Sequence, residues 1–284
     1  MINKIQGFIE ITRLDKPVGI YLLFWPSFIG LLLGVMDRGS IEFKNYFILI
    51  IGTVLVRSCG CIINDINDYK FDRLVSRTKN RPLASGKMGM TEAWLYFILL
   101  ATLSLCLLFF VPLYTIYASL VVAVFIMIYP RTKRFLKAPQ FFLGITFGSG
   151  TIISFSLVSS DFSLSLLILF IGTVLWIISF DTIYAFEDIA DDLKIGINST
   201  PILWGDQALN ISKYLHLAFY VSLALIGFIN EFSSFFLLVL IILLGLYIHQ
   251  RRLINNDQYL DAFKFNNWIG MFASMGFVIE AFLI

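Results

Sequence analysis

Long apolar segments are the feature of this 284-residue sequence that most constrains its fold. A helix needs about 20 mostly apolar residues to cross a hydrocarbon core roughly 30 Å thick, and nine segments meet that need. They cover residues 18–36, 44–63, 93–111, 113–129, 138–158, 164–184, 212–230, 232–249 and 266–284. Only 14% of the residues are charged, against about 25% in soluble domains. The sequence therefore predicts an all-α integral membrane protein, with residues 1–284 forming a single transmembrane domain.

The basic residues predict the orientation in the membrane, because Lys and Arg concentrate in cytoplasmic loops. Eighteen of them fall in the N-terminal segment or in the loops after spans 2, 4, 6 and 8. These are Lys4, Arg13, Lys16, Lys70, Arg73, Arg77, Lys79, Arg81, Lys87, Arg131, Lys133, Arg134, Lys137, Lys194, Lys213, Arg251, Arg252 and Lys264. Only Arg38 and Lys44 fall on the other side, and Arg57 lies within span 2. We therefore expect the N-terminus inside and the C-terminus outside.

The composition gives no support for nucleic-acid binding, for a zinc site or for a cleavable signal peptide. The basic residues follow membrane orientation, so the net charge of +2 gives no indication of nucleic-acid binding. Three cysteines in apolar spans and two histidines, with no Cys/His cluster, argue against a zinc site. The first 17 residues predict an amphipathic interfacial helix, with Phe8, Ile11 and Leu14 on one side, rather than a cleavable signal peptide.

Two acidic clusters begin where apolar spans meet the predicted cytoplasmic face. In the first, residues 64–72, helical spacing places Asp65, Asp68 and Asp72 on one face with Asn64 beside them. In the second, residues 181–192, the same spacing groups Asp181, Tyr184, Asp188 and Asp191 or Asp192. One acidic loop is usually a solvated surface. Two with matched spacing favour a binding site, and Asp181 stands out as an ionisable residue inside a span.

The chemistry of these clusters indicates a magnesium diphosphate site. Crowded carboxylates repel one another at a membrane boundary, so a cation is expected to hold them. Oxygen ligands without His or Cys suit Mg²⁺, which binds through a few carboxylates plus substrate phosphates. Nearby basic groups would stabilise negative charge on a leaving group. These basic groups are Lys70, Arg73, Arg77, Arg81, Lys133 and Arg134.

The motifs resemble those of a known family. Asn64-Asp65-x-x-Asp68-x-x-x-Asp72 and Asp188-x-x-x-Asp192 are similar to the two aspartate motifs of the UbiA superfamily of intramembrane aromatic prenyltransferases. Flanking segments narrow the resemblance to its 4-hydroxybenzoate polyprenyltransferase branch, the quinone-pathway enzymes of bacteria and mitochondria. These segments are 13–19 (Arg-Leu-Asp-Lys-Pro-Val-Gly), Trp25-Pro26, 77–83 (Arg-Thr-Lys-Asn-Arg-Pro-Leu), 129–134 (Tyr-Pro-Arg-Thr-Lys-Arg) and 194–200 (Lys-Ile-Gly-Ile-Asn-Ser-Thr).

The resemblance implies a fold and a reaction. The fold is nine transmembrane helices around a central cavity, with two cytoplasmic-side cap loops, in the bacterial inner membrane. The reaction is Mg²⁺-dependent transfer of a polyprenyl group from polyprenyl diphosphate to 4-hydroxybenzoate, at the ring carbon ortho to the hydroxyl, in ubiquinone biosynthesis. Diphosphate would leave the allylic C1, the aromatic ring would attack the resulting carbocation, and loss of a proton would restore aromaticity. The lipid bilayer would hold the prenyl donor.

The resemblance and the basic clusters together assign roles to particular residues. The predicted metal ligands are Asn64, Asp65, Asp68, Asp72, Asp188 and Asp192. The predicted substrate contacts are Arg13, Lys70, Arg73, Arg77, Tyr129, Lys133, Arg134 and Tyr184. Among these, Tyr129 and Lys133 match a pair that contacts the diphosphate, and Arg134 matches an arginine proposed to pair with the aromatic carboxylate. The predicted catalytic residues are Asp188, Asp68, Lys133 and Arg134, with Asp188 the first choice to assist phenol deprotonation.

Two positions depart from the family pattern. Many bacterial members have Arg where this chain has Tyr69, and a further Asp where it has Ala190. Lys70 or Arg73 could supply the missing positive charge, which leaves their individual roles open. Neither departure removes a predicted metal ligand.

Alternative functions remain at this stage. A member of the same superfamily could act on homogentisate, dihydroxynaphthoate or haem. A CDP-alcohol phosphotransferase also uses aspartates with Mg²⁺, but its Asp-Gly-x-x-Ala-Arg element is absent from this sequence. A secondary transporter would place its ionisable residues near the bilayer midplane, whereas these clusters lie at the predicted cytoplasmic ends of the spans.

Overall fold

The computed structural model describes residues 4–38 and 42–283, and within these ranges the regular structure is entirely helical. Residues 1–3, 39–41 and 284, which belong to the predicted N-terminal segment, the first outer loop and the last span, lie outside the described residues. The helices, in chain order, are α1 (Lys4–Thr12), α2 (Val18–Arg38), α3 (Phe43–Asp72), α4 (Met90–Leu107), α5 (Leu113–Thr132), α6 (Pro139–Phe155), α7 (Leu164–Ala185), α8 (Ile189–Ile195), α9 (Thr200–Trp204), α10 (Ala208–Ile229), α11 (Ser234–Asn255) and α12 (Tyr259–Leu283).

Seven helical segments of the described chain are long and apolar enough to cross a membrane. They are Val18–Arg38, Phe43–Asp72, Met90–Phe110, Leu113–Thr132, Leu164–Ala185, Thr200–Ile229 and Ser234–Asn255. Large apolar side chains cover their outer surfaces, for example Leu95 and Phe109 at 62% and 85% exposure, as expected of helices that contact lipid. The predicted all-helical membrane architecture is confirmed at this level. The remaining two long helices, α6 and α12, would be needed for nine crossings, which stay a prediction.

The helix ends differ from the predicted spans at the two acidic clusters. Helix α3 continues past residue 63 to Asp72, so the first cluster lies on a helix, as its spacing predicted. Helix α7 instead ends at Ala185, and Asp188 precedes the separate helix α8. The amides of Phe186, Glu187 and Asp188 bond to carbonyls three residues earlier, which forms a tight turn. The sequence predicted that the second cluster forms one continuous helical face. This prediction is wrong, because the helix is interrupted between Ala185 and Ile189.

One half of the helix bundle is tightly packed. The largest apolar cluster joins α2, α6, α7, α10, α11 and α12. At its centre the ring of Trp176 stacks on Phe219 with 4.7 Å between centroids, and its indole N–H donates to Asn266 at 2.9 Å. Helices α2 and α6 approach so closely that a Cβ at Gly30 would lie 2.3 Å from the Thr151 carbonyl oxygen. This contact requires glycine.

The other half encloses an apolar cavity of about 220 Å³, bounded by α2, α3, α4, α5 and α6. Its walls include Leu49 and Val56 of α3, Val122 and Ile126 of α5, and Phe147 of α6. This apolar cavity is therefore bounded by α2 to α6.

Helix α1 is fixed to α3 by charge as well as by packing. Its Ile11 is fully buried, and its Phe8 meets Tyr96 edge to face at 5.1 Å. Arg13 ends the helix in the left-handed backbone region at φ 62°, which is uncommon for a residue other than glycine. Its guanidinium donates to both carboxylate oxygens of Asp65, at 2.6 and 2.8 Å. The N-terminal segment therefore forms a helix, as predicted, and packs against the bundle.

Asp65→Asn should lower the stability of the purified protein in detergent. Asp65 is 2% exposed and pairs with both Arg13 and Arg81, so its loss leaves two guanidinium groups without this partner. We expect a loss of about 2 kcal/mol, less than for a fully buried pair because both arginines are 20% exposed. Thermal unfolding measures the effect. In the matched control Asp161→Asn, which breaks an exposed pair with Arg38, the midpoint should stay unchanged; equal midpoints in the two variants would contradict this role of Asp65.

Candidate active site

A polar cavity of about 190 Å³ lies where the ends of α3, α5 and α7 meet the two charged loops. The loops are residues 73–89, the first cap loop, and residues 186–199, the second cap loop. The polar and charged residues that line the cavity are Asn64, Asp72, Arg77, Thr78, Arg81, Tyr129, Lys133, Gln140, Asp181, Tyr184, Asp188, Asp192, Asn198 and Ser199. Residues from both acidic clusters thus face one enclosed space.

Four of the six predicted metal ligands line this cavity. Asn64 and Asp72 enter it from α3, and Asp188 and Asp192 enter from the second cap loop. The other two, Asp65 and Asp68, lie on α3 outside the lining, at 1% and 0% exposure. Residues of both acidic clusters therefore line the same cavity, as the sequence predicted. Two of the predicted metal ligands, however, do not reach its surface.

The carboxylates of α3 are neutralised by bases from other segments. Asp68 lies 2.5 Å from the Lys133 ammonium and 3.4 Å from the Arg134 guanidinium. Asp72 accepts from Arg81 at 2.9 Å. Because each carboxylate is largely removed from water, an opposite charge at contact distance is needed to keep it ionised.

Asp188 is held in the same way by the first cap loop. The Arg77 Nε donates to Asp188 at 2.9 Å, and the Arg77 Nη2 also contacts this carboxylate. The same guanidinium lies over the ring of Tyr184, 4.8 Å from its centroid. Burial alone would lower the pKa of Arg77, but the hydrogen bond to Asp188 raises it above its usual value. Arg77 is therefore a fixed positive charge in the cavity wall.

Backbone hydrogen bonds join the cap loops to each other and to the bundle. The Ser76 N–H donates to the Asp191 carboxylate at 2.9 Å, which lowers the pKa of Asp191. The Asn198 N–H donates to the Lys133 carbonyl at 3.0 Å, and the Thr200 N–H donates to the Gln140 side chain at 3.0 Å. Residues of both loops contribute to the lining of the cavity.

Asp192 is the cavity carboxylate in the second cap loop without a salt bridge among the described residues. Burial, and then the neighbouring Asp188 charge, raise the pKa of Asp192 to about 6. A carboxyl group in such surroundings is stabilised by an added cation.

Tyr129 borders both the polar and the apolar cavity. Three charged residues interact electrostatically with it: Asp181, which lines the polar cavity, Arg57, which lines the apolar cavity, and Asp68 of α3. Arg57 forms no salt bridge within the described chain, its Nε is buried without a hydrogen-bond partner, and its guanidinium lies 5.5 Å from the Phe147 ring centroid. Tyr129, which both cavities share, therefore lies between an acid and a base that are each partly buried.

Four predicted substrate contacts do not line either cavity. Arg13 pairs with Asp65, and Arg73 donates to the Ala84 carbonyl at 2.8 Å. Lys70 lies 5.9 Å from the centroid of the Tyr69 ring. Arg134 donates to the Asn67 carbonyl at 2.7 Å. Their predicted roles in substrate binding remain predictions.

Some cavity residues received no role from the sequence. Gln140, Asn198 and Ser199 carry no charge and lie in no acidic motif, so only the fold reveals their position. Asp181 and Arg57 did carry a signal, because each is an ionisable residue within an apolar span. On this ground Asp181 was a functional candidate from the sequence, but Arg57 was not. The same reasoning would have identified Arg57 as a candidate as well.

The donor set fits a hard divalent cation. The cavity offers carboxylate and amide oxygens, from Asn64, Asp72, Asp188 and Asp192. In the described residues, no three or more His, Cys, Asp or Glu side chains already converge on a metal position. Mg²⁺ does not require a closed protein cage, because it keeps several waters and shares substrate phosphates. These oxygens can therefore hold Mg²⁺ together with a phosphate ligand.

The chain is similar to known proteins over nearly its whole length. The chain is 36% identical to a Coxiella burnetii protein named 4-hydroxybenzoate octaprenyltransferase, over 98% of this chain and 99% of that protein. It is 37% identical to a protein of the same name from Vesicomyosocius okutanii, over 94% of this chain and 98% of the relative.

Solved structures show the same fold at lower identity. A UbiA homologue from Aeropyrum pernix matches with a TM-score of 0.80 and 23% identity, over 92% of this chain and 97% of that one. A UbiA homologue from Archaeoglobus fulgidus bound to GPP and Mg²⁺ matches with a TM-score of 0.73 and 18% identity, over 96% and 99%. The family model described as the UbiA prenyltransferase family matches residues 23–276. The chain belongs to the UbiA prenyltransferase family.

Proposed function

We propose that this protein transfers a polyprenyl group from polyprenyl diphosphate to 4-hydroxybenzoate, at the ring carbon ortho to the hydroxyl, in ubiquinone biosynthesis. The names of the relatives support the acceptor and the reaction. The observation that carries the proposal is a pair of cavities that share Tyr129 in their linings. A charged cavity suits a diphosphate, an apolar cavity suits an isoprenoid, and Tyr129 borders both.

The polar cavity would hold Mg²⁺ and the diphosphate. The proposed metal ligands are the four residues at its surface, Asn64, Asp72, Asp188 and Asp192. Asp68 does not line the cavity and would instead position Lys133 through their salt bridge. When bound, Mg²⁺ supplies positive charge that offsets the negative charge of a departing diphosphate. The Archaeoglobus homologue solved with GPP and Mg²⁺ supports such a pairing.

The bases of the cavity are proposed to exchange partners when the diphosphate binds. Arg77 pairs with Asp188, and Lys133 pairs with Asp68. A diphosphate between them would accept hydrogen bonds from Arg77, Lys133 and the Tyr129 hydroxyl. As the bond between C1 and the bridging oxygen breaks, its electron pair leaves with the diphosphate, and these fixed donors stabilise the growing charge.

The carbocation that forms would lie near Tyr129, at the mouth of the apolar cavity. That cavity is walled mainly by apolar side chains, which keep water from the cation. The aromatic ring contributes an electron pair to form the new carbon–carbon bond. The ring carbon then loses its proton to a basic oxygen, which restores aromaticity.

Asp181 is a second choice, beside Asp188, for assisting deprotonation of the phenol. It lies within α7, lines the polar cavity and interacts electrostatically with Arg57 and Tyr129 at the junction. Asp188, the choice made from sequence, is held by Arg77. Asp181 lines the polar cavity and interacts with Tyr129, and this position favours it for contact with an acceptor near that tyrosine.

Arg57 is proposed to bind the carboxylate of 4-hydroxybenzoate. It has no acidic partner within salt-bridge distance in the described chain and lines the apolar cavity beside Tyr129. Arg134, the residue indicated by the resemblance, is engaged by Asn67 and Asp68 outside both cavities. A carboxylate in an apolar cavity needs a cation, and Arg57 is the one placed there.

The membrane arrangement is proposed from the charge distribution. Residues 1–284 would form one domain with nine crossings, the N-terminus and both cap loops in the cytoplasm of a bacterium, and α12 as the ninth helix in the inner membrane. Short outer connections such as Ser159–Asp161 and the long charged cap loops support this orientation.

The competing functions differ in what they require of the two cavities. Homogentisate carries a carboxylate and would also suit Arg57, so an acceptor panel must separate it and dihydroxynaphthoate from 4-hydroxybenzoate. A transporter is disfavoured because its ion-binding carboxylates would lie near the bilayer midplane. Here Asp68 and Asp72 lie at one end of the bundle and already pair with Lys133 and Arg81.

Asp188→Asn should reduce prenyl transfer by 10²-fold or more, because it removes a proposed metal ligand and the partner that orients Arg77, and fixed electrostatic groups contribute about that much. Product formation from a prenyl diphosphate, 4-hydroxybenzoate and Mg²⁺ in detergent measures it, alongside thermal unfolding. Asp206→Asn, which changes an exposed acid outside the cavity, is the control. Near-normal turnover by a folded Asp188→Asn protein would refute the proposed metal site.

Arg57→Gln should raise KM for 4-hydroxybenzoate by roughly 10-fold to 100-fold, the equivalent of a charged hydrogen bond. It should also remove the preference for this acid over 4-hydroxybenzamide, which lacks the charge. Arg134→Gln is the comparison variant. If Arg134→Gln alone abolished that preference, the carboxylate would be assigned to Arg134 instead.

Cysteine labelling tests the orientation. Lys194→Cys and Asp161→Cys, each at an exposed side chain, are combined with Cys106→Ser to remove the exposed native thiol. A membrane-impermeant maleimide applied to spheroplasts should label position 161 directly and position 194 only after permeabilisation. The reverse pattern would place the cap loops outside.

A further inference from the structure

A second group of buried polar residues lies on α10 and α11, away from both cavities. It comprises His216 and Tyr220 of α10 with Tyr247, Gln250 and Arg251 of α11. His216 and Gln250 have no exposed surface, and Tyr220 and Tyr247 are 6% and 8% exposed. The three rings pack with centroids 5.0 to 5.9 Å apart, and the Arg251 guanidinium lies 5.0 Å from the Tyr247 ring centroid.

Every member of this cluster has a buried polar atom without a hydrogen-bond partner in the described structure. These atoms are both ring nitrogens of His216, the hydroxyls of Tyr220 and Tyr247, Oε1 of Gln250, and Nε and Nη2 of Arg251. The Gln250 side chain is close enough to interact with His216, so the unpartnered atoms outside this pair are the hydroxyls of Tyr220 and Tyr247 and Nε and Nη2 of Arg251. Buried polar groups are nearly always satisfied, and each one left unpaired costs about 1–3 kcal/mol. So many in one place indicate a ligand.

The charge of the cluster indicates that the ligand is an anion. Arg251 has no carboxylate within salt-bridge distance among the described residues, and the acids of the connection to α12 and of its first turn have other partners. Asp257 accepts from Tyr259, and Asp261 pairs with Lys264. The guanidinium N–H groups and two phenolic hydroxyls are donors suited to an oxyanion with several acceptor oxygens.

The location indicates where such an anion comes from. Arg251 lies in the last turns of α11, and His216 lies in the first half of α10, so the cluster is near one end of the helix pair. Lys213 and the exposed Arg252 add positive charge at the same end. Exposed apolar residues such as Leu244 and Ile248, at 48% and 55%, cover the adjacent surface. Basic pockets between membrane helices on the cytoplasmic side bind anionic lipid headgroups, and this end of the helix pair is the cytoplasmic one in the proposed orientation.

We propose that the α10–α11 cluster binds the phosphate of an anionic phospholipid. The Arg251 guanidinium and the hydroxyls of Tyr220 and Tyr247 donate to the phosphate oxygens, while the acyl chains lie along the apolar outer surface. Free phosphate or pyrophosphate presents the same oxyanion chemistry, so the experiment must separate a lipid from a free anion.

Thermal unfolding of the detergent-purified protein tests the proposal. A ligand that binds only the folded state raises the midpoint as its concentration exceeds its Kd. Phosphatidylglycerol should raise the midpoint by several degrees, whereas phosphatidylcholine, inorganic phosphate and pyrophosphate should raise it by less than half as much. Arg251→Gln should abolish the shift. Arg252→Gln, which removes the same charge from the exposed neighbouring position, should retain it.

Tyr247→Phe supplies a second measurement, should Arg251→Gln fail to fold. Without lipid its midpoint should equal or exceed that of the unmodified protein, because it removes an unpartnered hydroxyl. With phosphatidylglycerol its shift should fall by at least half. A full shift in Arg251→Gln or Tyr247→Phe, or no shift in the unmodified protein, would overturn the proposal. An equal shift with inorganic phosphate would overturn the lipid assignment and leave a free-anion site.

Discussion

Neutralisation of the buried carboxylates on α3 is the interaction on which the rest of the structure depends. Asp65, Asp68 and Asp72 occupy successive turns at the end of an apolar helix, where each negative charge needs a partner. The partners come from three different parts of the chain: Arg13 after α1, Arg81 in the first cap loop, and Lys133 after α5. The contacts that solvate these acids therefore also fix the surrounding segments around the polar cavity.

The two halves of the helix bundle differ in how tightly they are packed. Helices α7, α10 and α12 pack around Trp176 with little free space, and they hold Asp181 and Tyr184 in a fixed position. Helices α2 to α6 enclose the apolar cavity, which leaves room for a flexible chain. The packed half can thus hold the polar side chains of α7 in place, while the other half has room for an apolar ligand of variable shape.

Local pattern was enough to predict the helices and the meeting of the acidic clusters. Hydropathy and helical spacing are properties of neighbouring residues, so the first cluster was correctly placed on a helical face. The break between Ala185 and Asp188 was missed, because the same residues satisfy helical spacing whether or not the helix continues. Pairings across the chain, such as Arg13 with Asp65, depend on tertiary folding. For that reason the sequence could nominate both residues for the site but not reveal that they bind each other.

The Arg77–Asp188 and Lys133–Asp68 pairs give the polar cavity internal competitors for any ligand. An incoming anion must separate acids from bases that already satisfy one another, and a separated buried charge is costly. A singly charged ligand could compensate only one of the freed bases and none of the freed acids. A polyanion that arrives with a divalent cation compensates both sets at once. The resting ion pairs should therefore disfavour weakly charged ligands relative to a polyanion that binds together with a divalent cation.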